Sequence, residues 1–323
     1  MRKRIFKILF TLFIILFGIN DKLAFAQQDP DLHFSHFMFN NLVINPSYAG
    51  KSNDISLATF YRNQWVGFKG APTTQSFSAH SPIPGKNFGG GLHIINDNIG
   101  LEKHLTGMLS GAYHIHTRKS VFSLGLSGGF KQFTIDKSQL ILQDTVSDRI
   151  YAQLAGSTVF NSSFGMHYRT KEWYTAFSIT NLNQAKLKYN SNTVSKLSRH
   201  YYLKAGYNYQ INKLYALRPT VLVKYQPSSP IQIYLNGMID YKGAYWAGLG
   251  YRTGDAASFM VGAHIEKIKQ LRFKEHITIG YAFDWTMNGL PSYSTGSHEI
   301  MLLYDYHLNV NSKVHNPKYK RLE

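Results

Sequence analysis

The sequence contains no cysteine and few charged residues, and both absences narrow the class of protein. Without cysteine the chain cannot carry a lipid anchor on an N-terminal cysteine, and it cannot form disulfides. Charged residues make up 16% of the chain, against about 25% in an average soluble protein. Tyr and Phe are abundant, at 22 and 21 residues, although Trp occurs only 4 times. Low charge with many Tyr, Phe and Gly residues is typical of a barrel that contacts lipid outside and water inside.

Long apolar runs are also absent after the first 26 residues. Basic residues at positions 2, 3, 4 and 7 precede an apolar run from Ile8 to Ile19. This run is shorter than the roughly 20 residues of a membrane-spanning helix. Ala24-Phe25-Ala26 then supplies the small residues that a signal peptidase recognises. We therefore expect a cleaved signal peptide, with the cut between Ala26 and Gln27, rather than an N-terminal membrane anchor.

The formal net charge of +17 is an excess that often indicates nucleic-acid binding. That interpretation is poor for an exported chain without a nucleic-acid-binding motif. Anionic lipid headgroups, cell-wall polymer or an acidic partner fit the expected compartment better.

From about residue 55 onward, apolar and polar residues alternate in long segments. In the segment from Tyr201 to Ile211, apolar residues at odd positions alternate with Lys204, Gly206 and Asn208, so one strand face is apolar and the other polar. A soluble β-sandwich would alternate as well, but segments of ten residues or more suit tilted transmembrane strands. The sequence predicts an all-β fold, a transmembrane antiparallel β-barrel of about fourteen strands. The expected strands are near 55–63, 73–81, 88–96, 103–116, 119–133, 158–169, 172–182, 199–211, 215–225, 230–241, 244–252, 256–267, 275–286 and 296–306.

The lengths of the connections predict how this barrel is oriented. Bacterial barrels have short periplasmic turns and longer extracellular loops. With an even strand number and periplasmic termini, the turns at 117–118, 170–171, 212–213 and 242–243 fall in the periplasm. The longest connections, about 134–157 and 183–198, fall outside. Glycines within strands, such as Gly89-Gly90-Gly91, would supply the curvature of a closed sheet. No Lys-Ser/Thr pair follows them, so a phosphate-binding loop is a weak interpretation.

Three ordered motifs after the expected cleavage site resemble those of the PorP/SprF family. The segment QQDPDLHFSHFMFNNLVINPSYAG ends in an Asn-Pro-small-aromatic-Ala-Gly block, the first strand ends in Tyr-Arg-x-Gln-Trp, and Pro72-Thr73-Thr74 opens the second strand. The glycine-rich third strand and the closing Gly-Ser-His-Glu-Ile strand also match. The motif residues are Asn45, Pro46, Ala49, Gly50, Tyr61, Arg62, Gln64 and Trp65.

This resemblance implies a non-enzymatic outer-membrane component of the type IX secretion and gliding machinery of the Bacteroidetes. Family members support secretion or surface attachment of large adhesins with a type-B C-terminal domain, or are linked to the periplasmic ring and to peptidoglycan-binding partners. No cofactor is implied. The alternative is an outer-membrane pore or transporter for small solutes, which would conduct where a plugged adaptor would not.

The expected regions are a signal peptide at 1–26, an N-terminal segment at 27–54, the barrel at 55–306 and a basic periplasmic tail at 307–323. The aromatic N-terminal segment would not stay in water unpacked. It would either plug the lumen or dock onto a periplasmic partner, and the sequence leaves both open.

The inward register of the strands suggests candidate lumen residues. Arg62 either clamps the N-terminal segment or an acidic residue inside the barrel, or it is one lumen charge among many. Seven other charged residues share the inward register: Lys204, Lys224, Asp240, Arg252, Glu266, Asp284 and Glu299. They are expected to form a satisfied charge ladder rather than a catalytic set, because unpaired charges in a confined lumen are costly.

Metal and enzyme sites have weaker support. His114 and His116 lie on one face of a strand at a spacing that can bind metal, but no third ligand is suggested. Ser and His are plentiful, yet no spacing singles out a nucleophile with its base.

Basic residues mark the expected periplasmic turns and tail: Arg118, Lys119, Lys171, Lys213, Lys242, Lys318, Lys320 and Arg321. They would form a basic rim at the periplasmic mouth. This rim would contact either phospholipid headgroups of the inner leaflet or an acidic periplasmic component of the secretion or gliding apparatus.

Overall fold

The computed structural model describes residues 33–67, 69–136, 156–189, 192–227, 229–265, 276–287 and 294–308. The expected signal peptide, most of the expected long connection at 134–157, most of the basic tail and Glu266 lie outside these ranges. Within them, no helix combines the length and the apolar character needed to cross a bilayer.

In the part of the chain that the structure describes, two short helical elements precede seventeen strands. They are the α-helix α1 (Asn41–Ile44) and a 3₁₀ turn (Pro46–Tyr48). The strands are β1 (Asp54–Asn63), β2 (Thr73–Pro82), β3 (Phe88–Ile99), β4 (Glu102–His116), β5 (Val121–Ile135), β6 (Ser157–Arg169), β7 (Trp173–Thr180), β8 (Lys186–Tyr189), β9 (Asn192–Lys196), β10 (His200–Tyr207), β11 (Tyr209–Gln210), β12 (Tyr215–Tyr225), β13 (Gln232–Tyr241), β14 (Tyr245–Arg252), β15 (Ala256–His264), β16 (His276–Thr286) and β17 (Ser297–His307).

The wall is a closed antiparallel barrel in which each strand pairs with its neighbours along the chain. β8 and β9 form a separate hairpin outside the wall, and β7 therefore pairs with β10. The first and last strands pair from Asp54 with His307 to Asn63 with His298, which closes the sheet. Because β10 and β11 are two parts of one interrupted strand, the barrel has fourteen strands. The predicted fold class and strand number are confirmed.

The interruption between β10 and β11 was not predicted, since the sequence alternates without a break from 199 to 211. The register pairs Gly206 with Thr220 and Tyr209 with Leu217, so Tyr207 faces Pro219. Proline has no N–H to donate to a ladder. The wall is therefore locally unpaired at Asn208, whose own N–H donates to the carbonyl of Glu172.

Side chains alternate between a polar or small lumen face and an apolar outer face. On β13, Met238 and Asp240 are 3% exposed, whereas Ile239 between them is 47% exposed. Such alternation follows from the two-residue period of a strand. It places Leu, Ile, Phe and Tyr side chains where the bilayer would contact them.

The two ends of the barrel differ in their connections. One end, here called the turn end, carries the connections 83–87, 117–120, 170–172, 211–214, 242–244 and 265–275, together with the start of β1 and the end of β17. The opposite end, here called the loop end, carries 64–72, 100–101, 136–156, 181–199, 226–231, 253–255 and 287–296. Lys242 and Gly243 have φ values of 55° and 63°, which is the geometry of the tight hairpin turn favoured between antiparallel strands.

Candidate functional site

Residues 33–50, here called the lumen strap, lie inside the barrel and supply much of its apolar core. Phe34 packs with Phe60, Trp246 and Met301 in the largest buried cluster. Further along, Leu42 and Ala49 pack with Ala112 of β4. These contacts account for the aromatic character of this segment, because its rings are removed from water by the barrel wall.

The lumen strap runs from the loop end to the turn end. Near its start, Ser35 contacts Asp284 and Glu299, which lie beside the loop-end limits of β16 and β17. At its finish, the carbonyl of Ala49 accepts a hydrogen bond from His114 Nε2 at 2.9 Å, two residues from the turn-end limit of β4. The strap therefore spans the lumen lengthwise.

A buried ion cluster holds the loop-end part of the strap. Arg62 donates from Nη2 to Asp284 at 2.6 Å, and from Nη1 to Glu299 at 3.2 Å and to Ser35 Oγ at 2.7 Å. The backbone N–H groups of Ser35 and His36 donate to the two oxygens of Glu299 at 2.8 and 2.9 Å. His36 Nδ1 adds a third bond at 2.8 Å. All five residues are buried, and together they satisfy both carboxylates.

Arg252 and Asp255 extend this cluster toward the loop-end turn between β14 and β15. The guanidinium of Arg252 bonds Asp255 and lies 3.5 Å from Asp284. Burial would raise the pKa of the Asp255 carboxyl, but the charge and hydrogen bond of Arg252, together with the nearby charges of His33 and Arg62, outweigh burial and hold that pKa below its usual range.

The ion cluster lies across the seam where the barrel closes. Arg62 of β1 is paired in register with Glu299 of β17, and Asp284 is on β16. Ser35 and His36 therefore link the strap to the first strand and to the last two strands of the wall. These contacts stabilise strap and seam together.

The Asn45–Gly50 block fits against the turn-end half of the wall. Asn45 Oδ1 accepts from the N–H and the hydroxyl of Ser47 at 2.9 and 2.6 Å. Its Nδ2 donates to the carbonyls of Met166 and Phe177, each at 3.1 Å. The amide of Asn45 thus shapes the 3₁₀ turn and joins it to β6 and β7 at the same time.

Three wall glycines leave the space that this block occupies. A Cβ on Gly165 would lie 1.9 Å from Asn45 Oδ1, and one on Gly125 would lie 2.3 Å from the nitrogen of Ser47. A Cβ on Gly89 would lie 2.3 Å from the carbonyl oxygen of Ala49. Sequence reasoning missed Gly125 and Gly165, and it missed Ser35 and His36. The sequence did contain a signal for the two glycines. Each occupies an inward-facing position of a strand and has larger outward-facing neighbours.

The remaining motif residues lie near the loop end and in the 3₁₀ turn. Pro46 is the first residue of that turn, and Ala49 and Gly50 are buried after it. Tyr61 faces outward at 45% exposure, whereas Gln64 is buried and its N–H donates to the carbonyl of Pro72. Trp65 has a positive φ of 45°, and its N–H donates to Ser297 Oγ at 3.1 Å.

Of the other predicted lumen charges, those in the described ranges are also buried: Lys204, Lys224, Asp240 and Arg252. Lys204 donates to Asn41 Oδ1 at 2.5 Å and to the carbonyl of Phe37 at 3.2 Å, so it holds the middle of the strap. Asp240 lies 3.4 Å from Arg218. Lys224 lies 5.8 Å from the centre of the Tyr202 ring.

His114 and His116 are not equivalent. His114 Nε2 donates to the carbonyl of Ala49, so its Nδ1 accepts from Ser123 Oγ at 2.8 Å. His116 is exposed, and the two ring centres are 6.4 Å apart. Within the described residues no group of three metal-ligating side chains is assembled.

The predicted rim residues on the turns all lie at the turn end. Arg118, Lys119, Lys171, Lys213 and Lys242 are exposed, and exposed Lys86 in the 83–87 turn lies at the same end. The tail residues Lys318, Lys320 and Arg321 are outside the described ranges.

The strap separates two cavities that share no lining residue. The turn-end cavity, about 1100 Å³ with the solvent at its opening, is lined by Tyr48, Trp173, Tyr207, Arg218 and other residues. The loop-end cavity, about 780 Å³ on the same basis, is lined by Phe34, Phe37, His93, Lys224 and others.

Fold and lumen together define an outer-membrane β-barrel whose interior is occupied by its own N-terminal segment. The sequence profile described as type IX secretion system membrane protein PorP/SprF matches residues 24–304. The chain belongs to this family, as the sequence motifs predicted. A search of curated proteins finds no match.

Solved structures of similar fold are outer-membrane barrels. The monoaromatic hydrocarbon channel CymD has a TM-score of 0.50 at 11% identity, over 83% of this chain and 92% of that chain. The toluene transporter TbuX of Ralstonia pickettii has a TM-score of 0.48 at 9% identity, over 83% and 93%. The toluene transporter TodX of Pseudomonas putida has a TM-score of 0.47 at 9% identity, over 83% of this chain and 93% of that chain. These likenesses concern the fold alone.

Removal of the Arg62 guanidinium is expected to destabilise both strap and barrel. Arg62→Met would leave the buried Glu299 without its guanidinium and Asp284 with only Arg252 at 3.5 Å, at a cost of about 3–5 kcal/mol. The measurement is the unfolding free energy in detergent or lipid vesicles, read from heat-modifiable gel migration or tryptophan fluorescence. Arg118→Met, which removes an exposed arginine from a turn, is the matched control, and equal effects of the two substitutions would contradict the prediction.

A methyl group at Gly165 is expected to displace the Asn45–Gly50 block. Gly165→Ala should increase the amide hydrogen exchange of residues 45–50, because the added Cβ overlaps Asn45 Oδ1. Gly237→Ala is the matched control, since a Cβ there meets no atom within 4 Å. Unchanged protection of residues 45–50 in folded Gly165→Ala would show that the block does not depend on this space.

Proposed function

We propose that the protein is a non-conducting, non-enzymatic adaptor of the type IX secretion and gliding machinery in the outer membrane. In this proposal a signal peptide is removed between Ala26 and Gln27, the turn end faces the periplasm, and the loop end faces the cell exterior. The protein supports the secretion or surface attachment of adhesins that carry a type-B C-terminal domain.

The lengthwise course of the lumen strap is the observation that carries this proposal. A diffusion pore needs a continuous aqueous path, and here the strap separates the loop-end cavity from the turn-end cavity. The strap is held by buried ionic contacts through Glu299 and Asp284 and by close approach to wall glycines. Breaking a buried, hydrogen-bonded ion pair costs several kcal/mol, so spontaneous release of the strap would be rare.

One pair of side chains with nucleophile–base geometry, Ser123 and His114, is closed off from substrate. Ser123 Oγ lies 2.8 Å from His114 Nδ1, a distance suited to proton transfer. However, Ser123 is 1% exposed, and His114 is covered by Ala49 of the strap. A substrate would therefore have no access to this pair.

The turn end supports docking of a periplasmic partner. Its exposed basic side chains are spread over several separate turns, so they form a rim around the strap's exit. Such a rim suits an acidic surface of the periplasmic ring or of a peptidoglycan-linked component, and phospholipid headgroups are the competing ligand.

Conductance measurements test the adaptor proposal against the pore alternative. In planar bilayers the intact protein should conduct poorly, and a variant lacking residues 33–50 should conduct strongly because its lumen is open. High conductance of the intact protein would favour the transporter. Heat-modifiable migration establishes whether the deletion variant is folded. If the variant is unfolded, the conductance of the intact protein alone distinguishes the adaptor from the transporter.

Charge removal at the rim tests periplasmic docking. The triple variant Lys171→Gln, Lys213→Gln, Lys242→Gln, with the chain ended after Leu308, should recover several-fold less of its periplasmic partners on co-purification. Raising the salt concentration should lower the partner yield of the wild type to a similar degree. Exposed charges are already screened within about 8 Å at physiological ionic strength, and additional salt weakens them further.

The matched control removes three exposed loop-end lysines with Lys69→Gln, Lys186→Gln and Lys196→Gln and should keep the wild-type yield. If the turn-end variant inserts normally and recovers the same proteins at equal yield, the rim contacts lipid only.

A further inference from the structure

The turn-end cavity exposes apolar side chains inside the barrel. Met38 and Phe39 of the strap and Ala58 and Leu303 of the wall line this cavity, and all four are half-buried. Ala58 and Leu303 lie opposite each other across the closing seam, where β1 pairs with β17. The four side chains, here called the cavity floor, face the lumen, so the bilayer does not cover them. A ligand with an apolar group can remove them from water.

The cavity floor is within reach of a peptide that enters from the turn end. β1 begins at this end with Asp54, and Ala58 is four residues further along the strand. Four residues of a strand span about 13 Å, so a short extended segment connects the mouth of the cavity to its floor. Polar side chains that can bond to the backbone of such a segment also line the cavity: Asn41, Ser56, Ser78, Asn208 and Thr220.

The mouth of the cavity carries an excess of basic residues. On the described turns of this end, six basic side chains are exposed: Lys86, Arg118, Lys119, Lys171, Lys213 and Lys242. Glu172 is the one exposed acidic residue on these turns, and it accepts a hydrogen bond from the Tyr207 hydroxyl at 3.2 Å. Deeper in the cavity the signs are mixed, since Lys51 and Arg218 line it together with Asp305. The mouth therefore attracts acidic groups, and the floor accepts apolar ones.

We propose that the turn-end cavity is the docking site for an extended segment of a periplasmic protein, in which an aliphatic or aromatic side chain is flanked by acidic residues. The apolar side chain covers the cavity floor, and the acidic residues contact the basic rim. Exposed ion pairs contribute little affinity, whereas burial of one large apolar side chain contributes roughly tenfold to a hundredfold. This inference deepens the proposed function and rests on it for the periplasmic orientation of the turn end and for the presence of a docked partner.

Two phenylalanines of the strap permit a direct test by photocrosslinking. Phe39 lines the turn-end cavity, whereas Phe37 lines the loop-end cavity. The variants Phe39→p-azidophenylalanine, Phe37→p-azidophenylalanine and, on the rim, Lys213→p-azidophenylalanine are made in the full-length protein and irradiated in intact cells. The Phe39 and Lys213 variants should capture the same periplasmic protein, and the Phe37 variant should not capture it. Mass spectrometry of the peptide crosslinked at position 39 should show an apolar residue with acidic neighbours.

Filling the cavity from the protein's own side gives a second measurement. Ala58→Phe places a ring on the cavity floor and should lower the yield of the crosslink from position 213 roughly tenfold, because the partner's side chain loses its place. Ser163→Phe, in the lining of the loop-end cavity, is the matched control and should keep the yield. Heat-modifiable migration establishes whether both variants are folded. If Ala58→Phe is unfolded, the crosslinks from positions 37 and 39 test the inference without it.

The outcomes separate this inference from the proposed docking. A crosslink from position 213 without one from position 39 would show that the partner contacts the rim only, which overturns the inference and leaves the proposed docking intact. Capture of a lipid, of the chain's own tail, of a second copy or of a segment without acidic residues at position 39 would also overturn the inference. Equal capture from position 37 would do the same. If neither position 39 nor position 213 captures a periplasmic protein, the proposed docking is wrong together with the inference.

Discussion

The rest of the structure depends on the buried pairing of Arg62 with Asp284 and Glu299. Charges removed from water are tolerated only with opposite charges and hydrogen bonds around them. Here those bonds come from three wall strands at the closing seam and from Ser35 and His36 of the strap. A barrel that closed without the strap would leave Glu299 lacking three of its four bonds. Strap insertion and seam closure are therefore energetically coupled.

The turn-end half of the strap is fixed in a different way, by shape. Atoms of the Asn45–Gly50 block occupy the space that side chains would otherwise fill at Gly89, Gly125 and Gly165 of the wall. Its polar groups are satisfied by the backbone of β6 and β7. This explains why the Asn-Pro-Ser-Tyr-Ala-Gly block of residues 45–50 packs as one unit. Asn45 supplies four hydrogen bonds, and a larger residue at Gly50 would overlap the backbone of Gly89.

The wall could be predicted from sequence because each strand is long and alternates, and this pattern depends on local residues alone. The same alternation directs Arg62 away from Tyr61 and toward the lumen. Its partners could not be identified, because they depend on the register between β1 and β17, which are far apart in sequence. The break at Asn208 was hidden for a similar reason, since its cause is Pro219 on the neighbouring strand. The course of the strap was beyond sequence reasoning because its contacts are irregular and long-range.

The covalent attachment of the strap at the turn end has a mechanical consequence. A pull on the strap from the loop end would be directed along the barrel axis, toward the mouth opposite its junction with β1. The contacts of Ser35, Lys204 and Asn45 would then bear load in shear together, rather than one after another. Because the wall strands are closed into a ring, they would resist that load without separating. Tension applied at one face of the membrane would in this way be delivered to the other face through a single continuous chain.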